Sequence, residues 1–133
     1  MQDVSQRLRV LVAEDNADLR AAICALVAGE PDMEIAGETE VAGEIVPLAC
    51  ALEADIVVLD LNLRGESSVA AMRMLQEQQP DIAAVIYSGY DAADINAGLL
   101  ALAPCEYVAK SGDGLDLLAA IRRLGKNAAG SRV

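Results

Sequence analysis

The chain has 133 residues, 54% of them hydrophobic and 23% charged, which suffices for one packed domain; a formal charge of −11 argues against a nucleic-acid partner, whose phosphates need a basic face. No apolar run approaches a membrane span, and residues 1–7 lack the apolar core of a signal peptide. There is no histidine, and Cys24, Cys50 and Cys105 are widely spaced with no CxxC, so sulfur or imidazole metal centres are not expected and reduced thiols of a cytoplasmic protein are.

In chain order, Leu8-Arg9-Val10-Leu11-Val12-Ala13 reads as a first strand, followed at once by Glu14-Asp15-Asn16. Two adjacent acids leaving a buried strand repel one another, so a nearby cation would relieve them. Asp15 or Asn16 can also cap the next helix, whose face carries Leu19, Ile23, Leu26 and Val27 and which Gly29 and Pro31 end. Met33 to Glu38 is a weaker, alternating strand suited to a sheet edge, and a helix then runs to about Glu53 with Pro47 in its first turn.

Asp55-Ile56-Val57-Val58-Leu59-Asp60 is the pivotal stretch, four consecutive aliphatics between two aspartates. Such a run marks a strand buried on both faces, and an acid at its carboxyl end lies where open α/β sheets place ligands. Ser67 and Ser68 suit the cap of a helix whose Val69, Met72, Met74 and Leu75 read as core. Ile82 to Tyr87 forms a fourth strand ending in Ser88-Gly89, and 91–103 a helix of modest periodicity. Cys105 to Ala109 is a fifth strand that ends in Lys110, one of only two lysines. Asp113 can cap a last helix carrying Leu115, Leu118, Ala119, Ile121 and Arg122 up to Leu124.

Five strands alternating with helices predict an α/β fold, a doubly wound five-stranded parallel sheet in the flavodoxin-like order 2-1-3-4-5. The expected division is an extension over 1–7, a single domain over 8–124 and a short polar tail over 125–133. In that order Glu14 and Asp15 stand beside Asp60, with Ser88 and Lys110 bordering the same crevice. Clustered acids are hard oxygen ligands for Mg²⁺, which takes one or two carboxylates plus phosphate oxygens. Asp60 could then attack an activated phosphoryl group, with Lys110 neutralising one phosphoryl oxygen and Ser88 donating a hydrogen bond to another.

From Leu8 to Leu124 the chain resembles the receiver domain of two-component response regulators. The resemblance rests on Glu14-Asp15 after the first strand, Asp60 in Val57-Val58-Leu59-Asp60-Leu61, Ser88 after Val85-Ile86-Tyr87, and Lys110 after Tyr107-Val108-Ala109. It implies that Asp60 accepts a phosphoryl group from a histidine of a sensor kinase or phosphotransfer protein, with weak self-catalysed phosphorylation and dephosphorylation. It further implies Mg²⁺ held directly by Asp15 and Asp60, through water by Glu14, and by the backbone carbonyl of Asn62. Ser88 and Tyr107 would form a switch pair that reshapes the surface of the fourth predicted helix, the fifth strand and the last helix. With no output domain after Leu124, the effect is expected to pass through a downstream protein or a homodimer, unless the tail is the stub of a linker.

Four positions depart from the family's usual pattern: Arg64 where proline is common, Ser68 for glycine, Gly89 for alanine, and Ser111 for the proline after the lysine. None removes a chemical group; they bear on loop rigidity and on the lifetime of the phosphorylated state. Asn62 and Tyr90 are expected at the mouth of the site. A haloacid-dehalogenase-like phosphatase wants Asp-x-Asp, and here the second position is Asn62. A nucleotide-binding fold wants a glycine-rich loop where Ala13-Glu14-Asp15-Asn16 stands. The remaining alternative is a receiver-like module that binds partners without taking phosphate.

Overall fold

A computed structural model describes residues 7–60, 63, 67–88, 104–110 and 114–131, with residues 88 and 126–131 described by backbone alone. Its strands are β1 (Leu8–Ala13), β2 (Met33–Thr39), β3 (Ile56–Leu59), β4 (Ala83–Ser88) and β5 (Cys105–Ala109). The helices among the described residues are α1 (Ala17–Ala28), α2 (Ile45–Ala51), α3 (Ser68–Gln78) and α4 (Leu115–Ser131), with a 3₁₀ turn at Ala42–Glu44 before α2. The helix expected over 91–103 and the Asp113 cap lie outside the described residues.

All four pairings are parallel and the strand order is β2-β1-β3-β4-β5, as the sequence pattern predicts. The uninterrupted aliphatic runs follow from two-sided burial. Along β1, Leu11 and Ala13 face α2 and α3, while Val10 and Val12 face α1 and α4. In β3 the same alternation sends Val57 and Leu59 one way and Ile56 and Val58 the other. Every residue of β3 is buried, so the acid that follows it starts from a fixed strand end.

Two helix faces differ from the sequence reading. Met72 is fully buried, but Met74, expected in the core, is 51% exposed, because two residues along a helix turn a side chain roughly 200° away. In α4 the inward face is Leu117, Leu118, Ala120, Ile121 and Leu124, and Leu115 points out. The helix, expected to run up to Leu124, continues to Ser131 through most of the segment expected as a short polar tail. A Cβ at position 125 would collide with the Leu8 side chain, so close packing against β1 explains a glycine inside this helix.

Gly114 precedes α4 with φ +86, and a Cβ there would run into Leu26. Gly114→Ala therefore combines left-handed strain with a clash, and should lower the urea-unfolding free energy by about 2 kcal/mol.

Arg122 of α4 reaches back to the turn after α1, donating to both carboxylate oxygens of Asp32 (Nε to Oδ2 2.9 Å, Nη2 to Oδ1 3.1 Å) and to Glu30. The Arg122 hydrogen bonds hold the Asp32 carboxyl below its ordinary 3.8. A carboxyl lowered on folding contributes stability above its unfolded value and loses it as pH falls through the folded one. Arg122→Ala should cost at most about 1 kcal/mol at pH 7, since the pair is half exposed. The gap from the unaltered protein should close in denaturant titrations below pH 3.8.

Candidate functional site

The site forms where β1, β3 and β5 end. Ala13 and Leu59 are paired across β1 and β3, so the next residues, Glu14 and Asp60, leave the sheet side by side. The Asp60 amide donates to the Ala13 carbonyl at 2.9 Å, and the Glu14 amide to the Thr39 carbonyl at 3.0 Å. Lys110 leaves β5 and crosses the end of β4 to reach them. Its Nζ is 3.0 Å from Glu14 Oε1 and 3.5 Å from Asp60 Oδ1.

Glu14 and Asp60 are only 2% and 4% exposed, whereas Asp15 is half-buried. Carboxylate oxygens of all three lie within 4.8 Å of one another. Burial pushes the Glu14 carboxyl above its ordinary value; the Asn16 amide, donating to Oε2 at 3.1 Å, and Lys110 oppose this, while Asp60 adds to it. Burial disfavours the Lys110 ammonium, yet its bonds and attraction to Glu14 and Asp60 outweigh that and raise its pKa. Three acidic side chains surround one ammonium, so the cluster has more acids than cations. A divalent, oxygen-seeking cation suits that donor set in both charge and ligand type. The acidic pocket of Glu14, Asp15 and Asp60 could thus bind Mg²⁺.

Backbone fixation of the acids escaped the sequence reading in part. Asn16 caps α1 as expected, its Oδ1 accepting from the Leu19 amide at 3.0 Å. Ser67 caps α3, but Ser68 is buried and donates its hydroxyl to the Asp60 carbonyl at 2.9 Å. Arg20, not singled out from sequence, donates to the Glu14 carbonyl at 2.8 Å. A Ser-Ser pair after the acidic strand and an arginine one turn into α1 were the available signals, and both are too common to be decisive.

The backbone of Ser88 closes β4 opposite Ala109. The Ser88 side chain, Asn62, Arg64, Gly89, Tyr90 and Ser111 lie outside the described residues. Tyr107 is half-buried, packed toward the α2–α3 side of the sheet. It also lines a cavity of about 230 Å³ with Asp116 and Arg123 of α4. A larger cavity of about 620 Å³ opens at the opposite end of the sheet among Arg9, Cys50, Asp55 and Gln79, remote from the acidic cluster. Burial pushes the Cys24 and Cys105 thiols up to about 11, so neither is a ready thiolate. Among the described residues, no helix is long and apolar enough to cross a membrane.

Residues 10–126 match the family model of the response regulator receiver domain. The transcriptional regulatory protein LiaR of Bacillus subtilis is 24% identical over 119 residues, covering 90% of this chain and 56% of LiaR. The nitrate/nitrite response regulator NarP of Escherichia coli is 27% identical over 125 residues, 94% of this chain and 57% of NarP. The chain thus spans about half the length of these relatives. A two-component response regulator of the LuxR family from Aurantimonas sp. SI85-9A1 has the same fold, with a TM-score of 0.83 at 24% identity over 91% of this chain and 86% of that one. With its parallel sheet, its acidic cluster and a family match over nearly its whole length, the chain belongs to the response regulator receiver domains of two-component signalling.

Proposed function

We propose that Asp60 is a phosphoacceptor, taking a phosphoryl group from a phosphohistidine of a sensor histidine kinase or histidine phosphotransfer protein. The observation that carries this reading is the convergence of Glu14, Asp15, Asp60 and Lys110 at one sheet edge. A carboxylate oxygen of Asp60 attacks phosphorus; the new O–P bond forms as the P–N bond breaks, its electron pair returning to the donor's imidazole nitrogen. Asp15 and Asp60 directly, Glu14 through water, and the Asn62 backbone carbonyl would hold Mg²⁺. When bound, that ion supplies charge neutralisation for an anionic nucleophile meeting an anionic donor. Lys110, whose Nζ is 3.5 Å from Asp60, is assigned the charge on one phosphoryl oxygen, and Ser88 the hydrogen bond to another. Weak self-catalysed phosphorylation and dephosphorylation belong to the same reading.

Ser88 and Tyr107 are the proposed switch pair. Tyr107 stands at the outer strand of the sheet and beside α4, so its inward movement would alter the surface of β5 and α4, to which the proposal adds the helix expected over 91–103, outside the described residues. A downstream protein or a second copy of the chain would read that surface. The proposal is tested by intact-mass spectrometry after incubation with phosphoramidate, a small P–N donor. A gain of one phosphoryl group with Mg²⁺, abolished by a chelator, is expected. No gain under saturating donor and Mg²⁺ would leave a receiver-like module that binds partners without phosphate.

A further inference from the structure

We propose that Arg20 is a positioning residue, clamping the Glu14 peptide so that the acidic pair keeps its cation-binding geometry; the inference rests on the reading of this site as a Mg²⁺ site. Glu14 follows the last residue of β1, and its amide still bonds the Thr39 carbonyl. Its carbonyl is met by Arg20 of α1, whose Nη1 donates to it at 2.8 Å. The same guanidinium also meets acids from β2 and the turn after it, Glu38 through Nε and Glu40 through the Nη1 that bonds the Glu14 carbonyl. Nε donates to Glu38 at 3.1 Å, and Nη1 lies 3.7 Å from Glu40.

The Arg20 side chain is 19% exposed, and so largely withdrawn from solvent. A planar guanidinium with several fixed donors can hold a carbonyl and a carboxylate at once, which an ammonium on a flexible stem does less well. The clamp has two consequences. It fixes the Glu14-Asp15 peptide, from which both side chains enter the cluster, and it ties the charges of Glu38 and Glu40 to a cation. A residue that orients a metal ligand in this way typically changes metal affinity by about 10- to 100-fold when removed.

The test compares unaltered protein, Arg20→Ala and Arg20→Lys by two readouts. Hydrogen exchange of metal-free protein should show the amides of residues 14–16 exchanging about 10-fold faster in Arg20→Ala, with the centre of α1 unchanged. Calorimetric titration should show Mg²⁺ binding weakened about 10-fold in Arg20→Ala and partly restored in Arg20→Lys. Unchanged exchange at residues 14–16 overturns the clamp. So does a Mg²⁺ affinity for Arg20→Ala within twofold of the unaltered protein. If the unaltered protein itself binds no Mg²⁺, the Mg²⁺ reading of the site fails, and the exchange data alone decide whether the clamp exists.

Discussion

Asp60→Asn should make the metal-free protein more stable, by about 1–2 kcal/mol, the scale of a pKa shift of one unit. The substitution keeps the size of a buried side chain and removes one of three carboxylates whose oxygens lie within 4.8 Å of one another. Asp60 is one cause of the raised Glu14 carboxyl, so folding currently forces like charges together. Lys110 sets the upper bound, because the mutation also deprives its ammonium of a contact at 3.5 Å. Mg²⁺ should invert the ranking. A ligand that binds only the folded state adds about 2.7 kcal/mol at 100 times its Kd, and Asp60→Asn forgoes most of that. Urea titrations with and without Mg²⁺ check both signs. A metal-free Asp60→Asn protein less stable than its parent would mean that the attraction to Lys110 exceeds the repulsion among the acids.

Lys110→Met should act in the opposite direction. It takes the ammonium away from the buried Glu14 and Asp60 carboxylates, and breaking a buried pair in this way costs about 3 kcal/mol. The loss should depend on pH. An acid whose folded pKa lies above its unfolded value binds more protons when folded, so it favours folding at low pH and loses that contribution as pH rises through the folded value. Glu14 is such an acid, and Lys110 is one of the two groups that hold its carboxyl down. Without the ammonium that carboxyl rises further, so the stability of Lys110→Met should fall more steeply than its parent's as pH climbs from 4.5. Phosphorylation by a small donor should slow by about 10²-fold, the usual loss on removing one donor to a developing oxyanion. In a double-mutant cycle Asp60→Asn should recover part of the lost stability, because it removes one of the two acids that Lys110 contacts. A Lys110→Met protein as stable as its parent at pH 7 would show that solvent already screens the two acids.

The sheet was legible because β1, β3 and β4 are short aliphatic runs that end at polar residues, as two-sided burial requires, while the alternating β2 and the mixed β5 suit the edges. The same feature made the site legible. Glu14, Asp60 and Lys110 are the first residues after β1, β3 and β5, so predicting the sheet order brought them together before any side chain was placed. Contacts that depend on shape were not legible. Gly125 falls in the segment expected as a polar tail, yet it lies within α4, where Leu8 leaves no room for a Cβ. Met74 belongs to an apolar-looking run but lies on the outer face of α3. Ser68 reads as a cap or as an odd substitution, and its bond to the Asp60 carbonyl depends on how α3 approaches the sheet. Arg20 could have paired with any nearby acid; its bond to a carbonyl follows from where β1 stops.

On the proposed reading Asp60 itself carries the phosphoryl group. Borohydride reduces an acyl phosphate to an alcohol, so peptide mass spectrometry after phosphorylation and reduction identifies the residue directly. Homoserine in place of Asp60, and unreduced Glu14 and Asp15, is the result expected from this site. Reduction at Asp15 or Glu14, or a phosphorylated protein with no reducible residue at position 60, would contradict it.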